Sequence, residues 1–192
     1  MRVIAGAVGG IRLEVPKTGV RPTMDRVKAA IFSGLGNDIA GARVLDLFAG
    51  TGAMGIEALS RGASSVLFVE SDRAAVAAIE HNLSKTKLSG RIRKRDVFSF
   101  LRQSDTGEQF DIIFADPPYE NTKDGKAFTA LLLSSSELAA MLLPSGTFVL
   151  EKRPSEPIPE TDLWRTVRAK AYGATQVLFL GRTEFPLASV SG

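Results

Sequence analysis

Apolar runs of strand length alternate with segments of helical periodicity along most of the chain. Strands are predicted at residues 43–48, 66–70, 91–95, 110–115 and 147–150, and the apolar runs 43–48 and 110–115 predict buried strands. Helical patterns lie between them, at residues 53–60, after Asp72, at residues 97–102 and up to about Leu143, where Pro144 and Gly146 end the pattern. Strands that alternate with helices of this length form βαβ units, so we expect an α/β fold with a mainly parallel, doubly wound sheet.

The last third of the chain has a different pattern. Residues 152–162 contain three prolines and predict a loop. Two further apolar runs, 163–171 and 176–180, are separated only by the short segment 172–175. Because so short a connection leaves no room for a crossover helix, the two runs must form an antiparallel hairpin. The parallel sheet is therefore expected to contain one antiparallel strand.

The first 40 residues form an extension in front of this pattern. Segments 3–5 and 11–15 could pair as a small hairpin, and a helix is expected over residues 24–34. Pro22 stands just before that helix, where its fixed φ favours helix initiation. We expect a single domain over residues 1–192, with an extension at 1–40 and a Rossmann-like core at 41–182.

Composition restricts the chemistry that the chain can perform. It has no cysteine and a single histidine, His81, which excludes disulfides, cysteine-ligated metals and sites that need two histidines. We therefore expect no metal. There is no leader-like start and no apolar run of ~18 residues, so the cytoplasm is the expected compartment and no membrane partner is expected. His81 is expected at the surface, and the ring of Phe98 in the core.

A glycine-rich loop lies between the first strand and the helix at 53–60. Gly50, Gly52 and Gly55 match the spacing G-x-G-x-x-G, and Glu70 follows Gly50 by twenty residues. In a strand–turn–helix context this pattern predicts a nucleotide-like ligand, with the acid on ribose hydroxyls. A dinucleotide and S-adenosylmethionine are both compatible with the glycines alone.

Acidic residues at the ends of three successive strands favour S-adenosylmethionine. Asp46 would repel a pyrophosphate but can bind the ammonium of the methionine moiety. Glu70 would accept hydrogen bonds from the ribose hydroxyls, and Asp96 would accept one from the adenine N6 amine. The Val97 N–H could donate a hydrogen bond to the adenine ring. The other predicted cofactor contacts are Phe48, Ala49, Gly50, Thr51, Gly52 and Ser71.

The segment Asp116-Pro117-Pro118-Tyr119 follows the fourth strand, at the edge where doubly wound sheets bind ligands. Two prolines make the loop stiff, so the Asp116 carboxylate and the Pro117 carbonyl can point outward together. Each could accept one proton of an exocyclic amine, which would localise the nitrogen lone pair toward a methyl donor. The Tyr119 ring could stack on a flipped-out base. These four residues are the predicted catalytic loop.

At this point the sequence resembles the bacterial 16S ribosomal RNA guanine-N2 methyltransferases of the RsmD type. The matching stretches are 21–28, 46–62, 69–72, 116–119 and 172–175. The resemblance implies a seven-strand methyltransferase fold, with Arg21 and Thr23 near the methionine end of the cofactor. It also implies methylation of a guanine N2 in 16S rRNA, free or in an assembling small subunit. We expect the enzyme to act as a monomer.

Cations at the start of the chain are the predicted RNA contacts, because they flank the predicted catalytic edge: Arg2, Arg12, Lys17 and Arg26. Six further cations and no acid lie within residues 84–95, which is compatible with an RNA-binding surface or with a solvated surface.

Other functions also stay open at this stage. They are methylation of DNA adenine N6, of cytosine N4 or of a glutamine amide, a NAD-type oxidoreductase, and a non-catalytic RNA-binding module.

Overall fold

A computed structural model describes residues 1–15, 25–103, 107–118 and 128–183. Within these ranges the strands are β1 (Arg43–Leu47), β2 (Ser65–Glu70), β3 (Arg91–Lys94), β4 (Phe110–Ala115), β5 (Leu142–Lys152), β6 (Trp164–Tyr172) and β7 (Thr175–Arg182). The helices are α1 (Asp25–Leu35), α2 (Ala53–Ser60), α3 (Arg73–Thr86), α4 (Val97–Arg102), α5 (Phe128–Leu133) and α6 (Ser136–Met141). A short 3₁₀ helix, Gly36–Ile39, follows α1. None of the helices in the described ranges is long and apolar enough to cross a bilayer.

The described strands form a seven-stranded sheet in the order β3-β2-β1-β4-β5-β7-β6. Strands β1 to β5 pair in parallel, whereas β7 is antiparallel to both of its neighbours. This confirms the expected α/β fold with one reversed strand. The strand order changes direction between β1 and β4, so the ligand crevice of such a sheet lies at the carboxyl ends of these two strands.

Helices cover the sheet on both faces, and alternate strand residues fill two separate cores. On one face α1, α2 and α3 pack with Val44, Phe68 and Phe114. On the other face α4, α5 and α6 pack with residues such as Leu45 and Ile113. The alternation along each strand therefore fixes which face any side chain at the sheet edge will meet.

The prediction of a single helix before β5 is wrong. Instead of one helical segment ending near Leu143, the structure has α5 and α6, because Ser135 caps α6 by accepting a hydrogen bond from the Leu138 N–H at 3.1 Å. Strand β5 already begins at Leu142 and includes Pro144 and Gly146. Its pairing with β4 shifts register between Phe110 and Ile112. An irregular strand start of this kind tolerates a proline that a regular ladder would exclude.

At the N-terminus the predicted hairpin is reduced to one antiparallel bridge, between Arg2 and Arg12, with a hydrogen bond from the Val3 N–H to the Ile11 carbonyl at 2.9 Å. Helix α1 confirms the helix expected at residues 24–34. Pro22 and Met24 lie outside the described residues. The helices expected at 53–60, after Asp72 and at 97–102 are present, and Asp72 caps the second of them by accepting a hydrogen bond from the Ala75 N–H.

Candidate active site

Three acids meet at the carboxyl edge of the sheet. Asp46 and Glu70 lie at the ends of β1 and β2, and Asp116 follows β4. Their strand neighbours Leu47, Val69 and Ala115 point into the core under α4 to α6. Because side chains alternate along a strand, the carboxyl groups of Asp46 and Glu70 point to the opposite face, toward α1, α2 and α3, and the charge of Asp116 acts on Asp46.

Asp46 is the most buried of these acids, with 3% of its surface exposed. Burial, together with the negative charges of Asp116 and Glu70, raises the pKa of its carboxyl group to about 8, against the hydrogen bond from the Gly55 N–H. That hydrogen bond is 2.9 Å long. A carboxyl group with this pKa is half protonated near pH 8, so a ligand that carries a positive charge would favour its ionised form.

The glycine-rich loop has the backbone geometry that its sequence predicted. Gly50 has a φ of +54° and Gly52, at the start of α2, a φ of +76°. A Cβ on Gly55 would lie 2.3 Å from a ring carbon of Phe68, so only glycine lets α2 pack this closely on β2. Phe48 also has a positive φ of 54°, which is rare for a bulky residue and is typical of functional sites.

The Glu70 carboxylate organises the same loop. It accepts hydrogen bonds from the backbone N–H groups of Gly50, Ser71 and Asp72, each 2.8 Å long. A carboxylate has about four acceptor positions, so about one remains for a ribose hydroxyl. A second hydroxyl would have to replace one of these N–H donors. The ribose contact of Glu70 stays a prediction.

The residues predicted for the adenine lie at the start of α4. Asp96 is exposed and caps this helix by accepting from the Ser99 N–H at 2.9 Å, while Val97 is buried. Phe98, expected in the core, is only half-buried, and its ring lies 5.8 Å from Phe128 and 6.1 Å from Phe48 between centroids. These three rings form an aromatic wall at the carboxyl edge. The adenine contacts of Asp96 and Val97 stay predictions.

The described part of the predicted catalytic loop comprises Asp116, Pro117 and Pro118. Asp116 is half-buried, Pro117 buried and Pro118 exposed. The next strand, β5, reaches the same edge with the buried Glu151, an acid that sequence reasoning missed. Tyr119 lies outside the described residues, as do three other predicted site residues, Arg21, Thr23 and Lys17.

Sequence reasoning also missed Asn82, which is fully buried on α3. Its Nδ2 donates to the carbonyls of Thr51 at 3.0 Å and Glu14 at 3.1 Å, and its Oδ1 accepts from the Glu14 N–H at 2.8 Å. One side chain thus joins the N-terminal extension to the glycine-rich loop. The available signal was its position three residues after Ile79, on the apolar stripe of the helix.

A buried ion pair attaches the extension to α2. The Lys28 Nζ lies 3.3 Å from Glu57 Oε2, with both side chains fully buried, and it donates to the Arg2 carbonyl at 2.6 Å. The Glu57 carboxylate also accepts from the backbone N–H groups of Ile4 and Ala5 and from Arg61 Nε. Burial lowers the pKa of Lys28, and Glu57 opposes that shift.

The predicted RNA contacts within the described ranges are exposed. Arg2 and Arg12 are partners in the N-terminal bridge, and Arg26 lies in the first turn of α1. The structure thus places Arg2 and Arg12 side by side. Within residues 84–95, Arg91 pairs with Glu108 and Arg95 donates to Gln103. The predicted surface position of His81 is confirmed, since about half of its side chain is exposed beside Glu14.

The family described as "Conserved hypothetical protein 95" matches residues 1–181 of this chain. A relative named ribosomal RNA small subunit methyltransferase D, from Haemophilus influenzae, is 32% identical over 177 residues, which are 90% of this chain and 89% of that protein. A hypothetical protein of Thermus thermophilus has a solved structure that superposes with a TM-score of 0.78 at 30% identity, over 93% of this chain and 98% of that one.

A further solved structure is the 16S rRNA N2 G1207 methyltransferase of Thermus thermophilus in complex with AdoMet and guanosine. It superposes with a TM-score of 0.62 at 25% identity and covers 86% of this chain but 44% of that protein. The fold is therefore that of class I methyltransferases, as the sequence predicted.

Proposed function

The chain belongs to the Conserved hypothetical protein 95 family, and on that premise we propose that it transfers a methyl group from S-adenosylmethionine to the exocyclic N2 of a guanine in 16S rRNA. The relatives support this proposal, since one is named as a small-subunit rRNA methyltransferase and another was solved with AdoMet and guanosine. An enzyme with this substrate would act in the cytoplasm, where bacterial ribosomes assemble.

The observation that carries the proposal is the group of acids at the carboxyl edge. Burial, together with the negative charges of Asp116 and Glu70, raises the pKa of Asp46, so this edge disfavours further negative charge. A pyrophosphate would add to this repulsion, which disfavours a NAD-type cofactor. The ammonium and sulfonium of S-adenosylmethionine would relieve it. The donor set therefore fits S-adenosylmethionine.

In this proposal the protein supplies position and polarity. S-adenosylmethionine, when bound, supplies an electrophilic methyl group. Asp46 would hold the ammonium, Glu70 a ribose hydroxyl, and Asp96 with Val97 the adenine. Arg21, Thr23, Ser71 and the backbone of 48–52 would complete the cofactor site.

Asp116 and the carbonyl of Pro117 would accept the two protons of the guanine amine and so orient its lone pair toward the methyl donor. The proton becomes acidic once the nitrogen is alkylated, so a nearby acceptor suffices and no histidine is needed. Pro118 keeps the loop stiff, and Tyr119 would stack on the flipped base. A methyltransferase acting on DNA or on a glutamine amide could use the same loop, and the product identifies which substrate is used.

A methyl-transfer assay with labelled S-adenosylmethionine and unmethylated small-subunit RNA, naked or assembled with proteins, tests the proposal. Nucleoside analysis should find N2-methylguanosine. The substitution Asp116→Ala should lower turnover by about 10²-fold or more, because it removes an acceptor at the reacting amine, while calorimetry still detects cofactor binding.

The matched control is Asp111→Ala, at the other end of β4, where the side chain pairs with Arg43 at the surface. It should keep full turnover. Undiminished methylation by Asp116→Ala would remove that residue from the mechanism. Methylated DNA with unlabelled RNA, or tighter binding of NAD than of S-adenosylmethionine, would overturn the proposed function.

A further inference from the structure

The edge strand β6 exposes an unusual number of cations. Its residues from Arg165 to Ala171 are all exposed, and they include Arg165, Arg168 and Lys170 but no acid. Strand β7 covers one side of β6, and no strand in the described ranges pairs with its other side. These three cations were not among the RNA contacts that the sequence predicted.

A register irregularity places the three cations on one face. Residues 165 and 168 are an odd number apart and would point to opposite faces of a regular strand. The pairing with β7, however, shifts between Thr166 and Arg168. The Arg165 guanidinium consequently lies against Gly181, and that of Arg168 lies 5.3 Å from the centre of the Phe179 ring.

Gly181 and Phe179 are two residues apart on β7 and share the face that packs under α1. Lys170 follows Arg168 by two residues and therefore points to the same face. We call Arg165, Arg168 and Lys170 the β6 cationic strip. It spans five residue steps, or roughly 17 Å at ~3.3 Å per residue.

Within the part of the chain that the structure describes, no carboxylate lies within ion-pair distance of the strip. The opposite edge strand, β3, is also basic, but there Arg91 pairs with Glu108, and Arg93 and Lys94 are neighbours along the strand and so point to opposite faces. The charge of the strip is thus available to an external anion. Cations on an edge strand commonly serve to prevent edge-to-edge pairing with another chain. That role does not require the cations to share a face.

The direction of β6 connects the strip to the candidate active site. Strand β6 runs parallel to β1–β5, because β7 is antiparallel both to it and to β5. Its last residue, Tyr172, therefore lies at the same edge as Asp116. The strip extends away from Tyr172 along the flank of the sheet, from ~7 Å for Lys170 to ~23 Å for Arg165.

We propose that the β6 cationic strip binds the phosphate backbone of the substrate RNA beside the target nucleotide. The inference rests on the proposed function for the identity of the nucleic acid. A row of unpaired cations along a strand matches a run of phosphates in charge and spacing, and it reads no base. The strip contributes affinity and orientation, while the carboxyl edge contributes the chemistry.

The test compares two double variants that remove the same charge. Arg165→Gln with Lys170→Gln weakens the strip and spares Arg168, whose guanidinium packs on Phe179. Arg43→Gln with Arg102→Gln is the matched control, on exposed residues at the start of β1 and in the last turn of α4. For each, methyl transfer is measured against RNA concentration, and RNA binding against salt.

The strip variant should raise the KM for RNA by about tenfold with little change in kcat at saturating RNA. The slope of log K against log salt should become less steep by ~1.4, since two phosphate contacts are lost at ~0.7 each for single-stranded RNA. The control variant and the affinity for S-adenosylmethionine should stay at wild-type values.

An equal loss in both variants would assign the effect to net charge and overturn the proposal, as would an unchanged KM in the strip variant. Aggregation of the strip variant with unchanged RNA affinity of its monomer would leave only edge protection and also overturn it. Failure of the wild-type protein to methylate RNA contradicts the proposed function instead. The RNA-binding arm then still decides whether the strip binds phosphates.

Discussion

Two buried acids, one within α2 and one hydrogen-bonded to its backbone, have different environments. Glu57, within α2, is fully buried but pairs with Lys28 and accepts from two backbone N–H groups and from Arg61. Asp46, at the end of β1, is nearly as buried but has one hydrogen bond, from Gly55, and faces two other acids. The first acid is compensated within the fold, and the second is not.

The difference has a consequence for the protonation of each acid. A buried charge that is paired and hydrogen-bonded keeps its ionised form and fixes the elements that bind it, here the N-terminal extension. A buried acid without a counter-charge binds its proton more tightly, and burial, together with the charges of Asp116 and Glu70, raises the pKa of Asp46 to about 8. Such a group destabilises the folded protein in its charged form, and perturbed groups of this kind cluster at ligand sites. In the proposed function, the cationic cofactor would give Asp46 the compensation that Lys28 gives Glu57.

The largest expected effect of a substitution measured at a single pH is that of Glu57→Gln. This substitution keeps the side-chain shape but leaves the Lys28 ammonium buried without a counter-charge, so we expect a loss of about 3–5 kcal/mol in the free energy of unfolding. Urea denaturation measures it. The control Asp111→Asn weakens the exposed pair with Arg43 and should cost less than about 1 kcal/mol. A loss for Glu57→Gln no larger than that of the control would show that the pair does not fix the extension.

The next expected effect is that of Asp46→Asn, which should stabilise the folded protein relative to wild type as the pH rises. The folded-state pKa of Asp46 lies near 8, above its unfolded value of 3.8, so the folded state holds the proton more tightly. Its contribution to stability is complete below about pH 4 and is lost as the pH rises toward 8. Asp46→Asn has no such proton. Wild-type stability should therefore fall relative to the variant by up to ~1.4 kcal/mol per pH unit in that window. Parallel pH profiles for the two proteins would contradict a raised pKa.

The smallest expected loss of stability is that of Asn82→Ala, which removes an uncharged connection between the N-terminal extension and the glycine-rich loop. Asn82→Ala leaves the Thr51 carbonyl and both backbone groups of Glu14 without their buried partner, so we expect a loss of about 1–3 kcal/mol. Because Thr51 belongs to the glycine-rich loop, affinity for S-adenosylmethionine should also fall, as calorimetry can measure. The exposed neighbour His81→Ala provides the control and should change both quantities little. Equal values for the two variants would show that Asn82 does not couple the regions.

The elements that sequence analysis predicted well are those with strong local signals. Helix α2 begins and ends where the glycine-rich pattern placed it, and α4 begins after the cap Asp96. The prediction for the region before β5 was wrong because the local signals in that region conflict. The apolar periodicity continues across Ser135, whereas that hydroxyl caps a new helix. Pro144 indicates a helix end, whereas pairing with β4 places it inside a strand.

By itself the sequence determined the α/β class, the glycine-rich loop, the acids at the strand ends and the family, because each of these depends on residues close together in the chain. Only the tertiary structure decided which distant groups meet. It brought Asp46 near Asp116 and Glu70, buried Lys28 against Glu57, and set Asn82 between Glu14 and Thr51. The shift between Thr166 and Arg168 likewise aligned the cations of β6. Such juxtapositions depend on packing and strand register, which no local pattern of residues encodes.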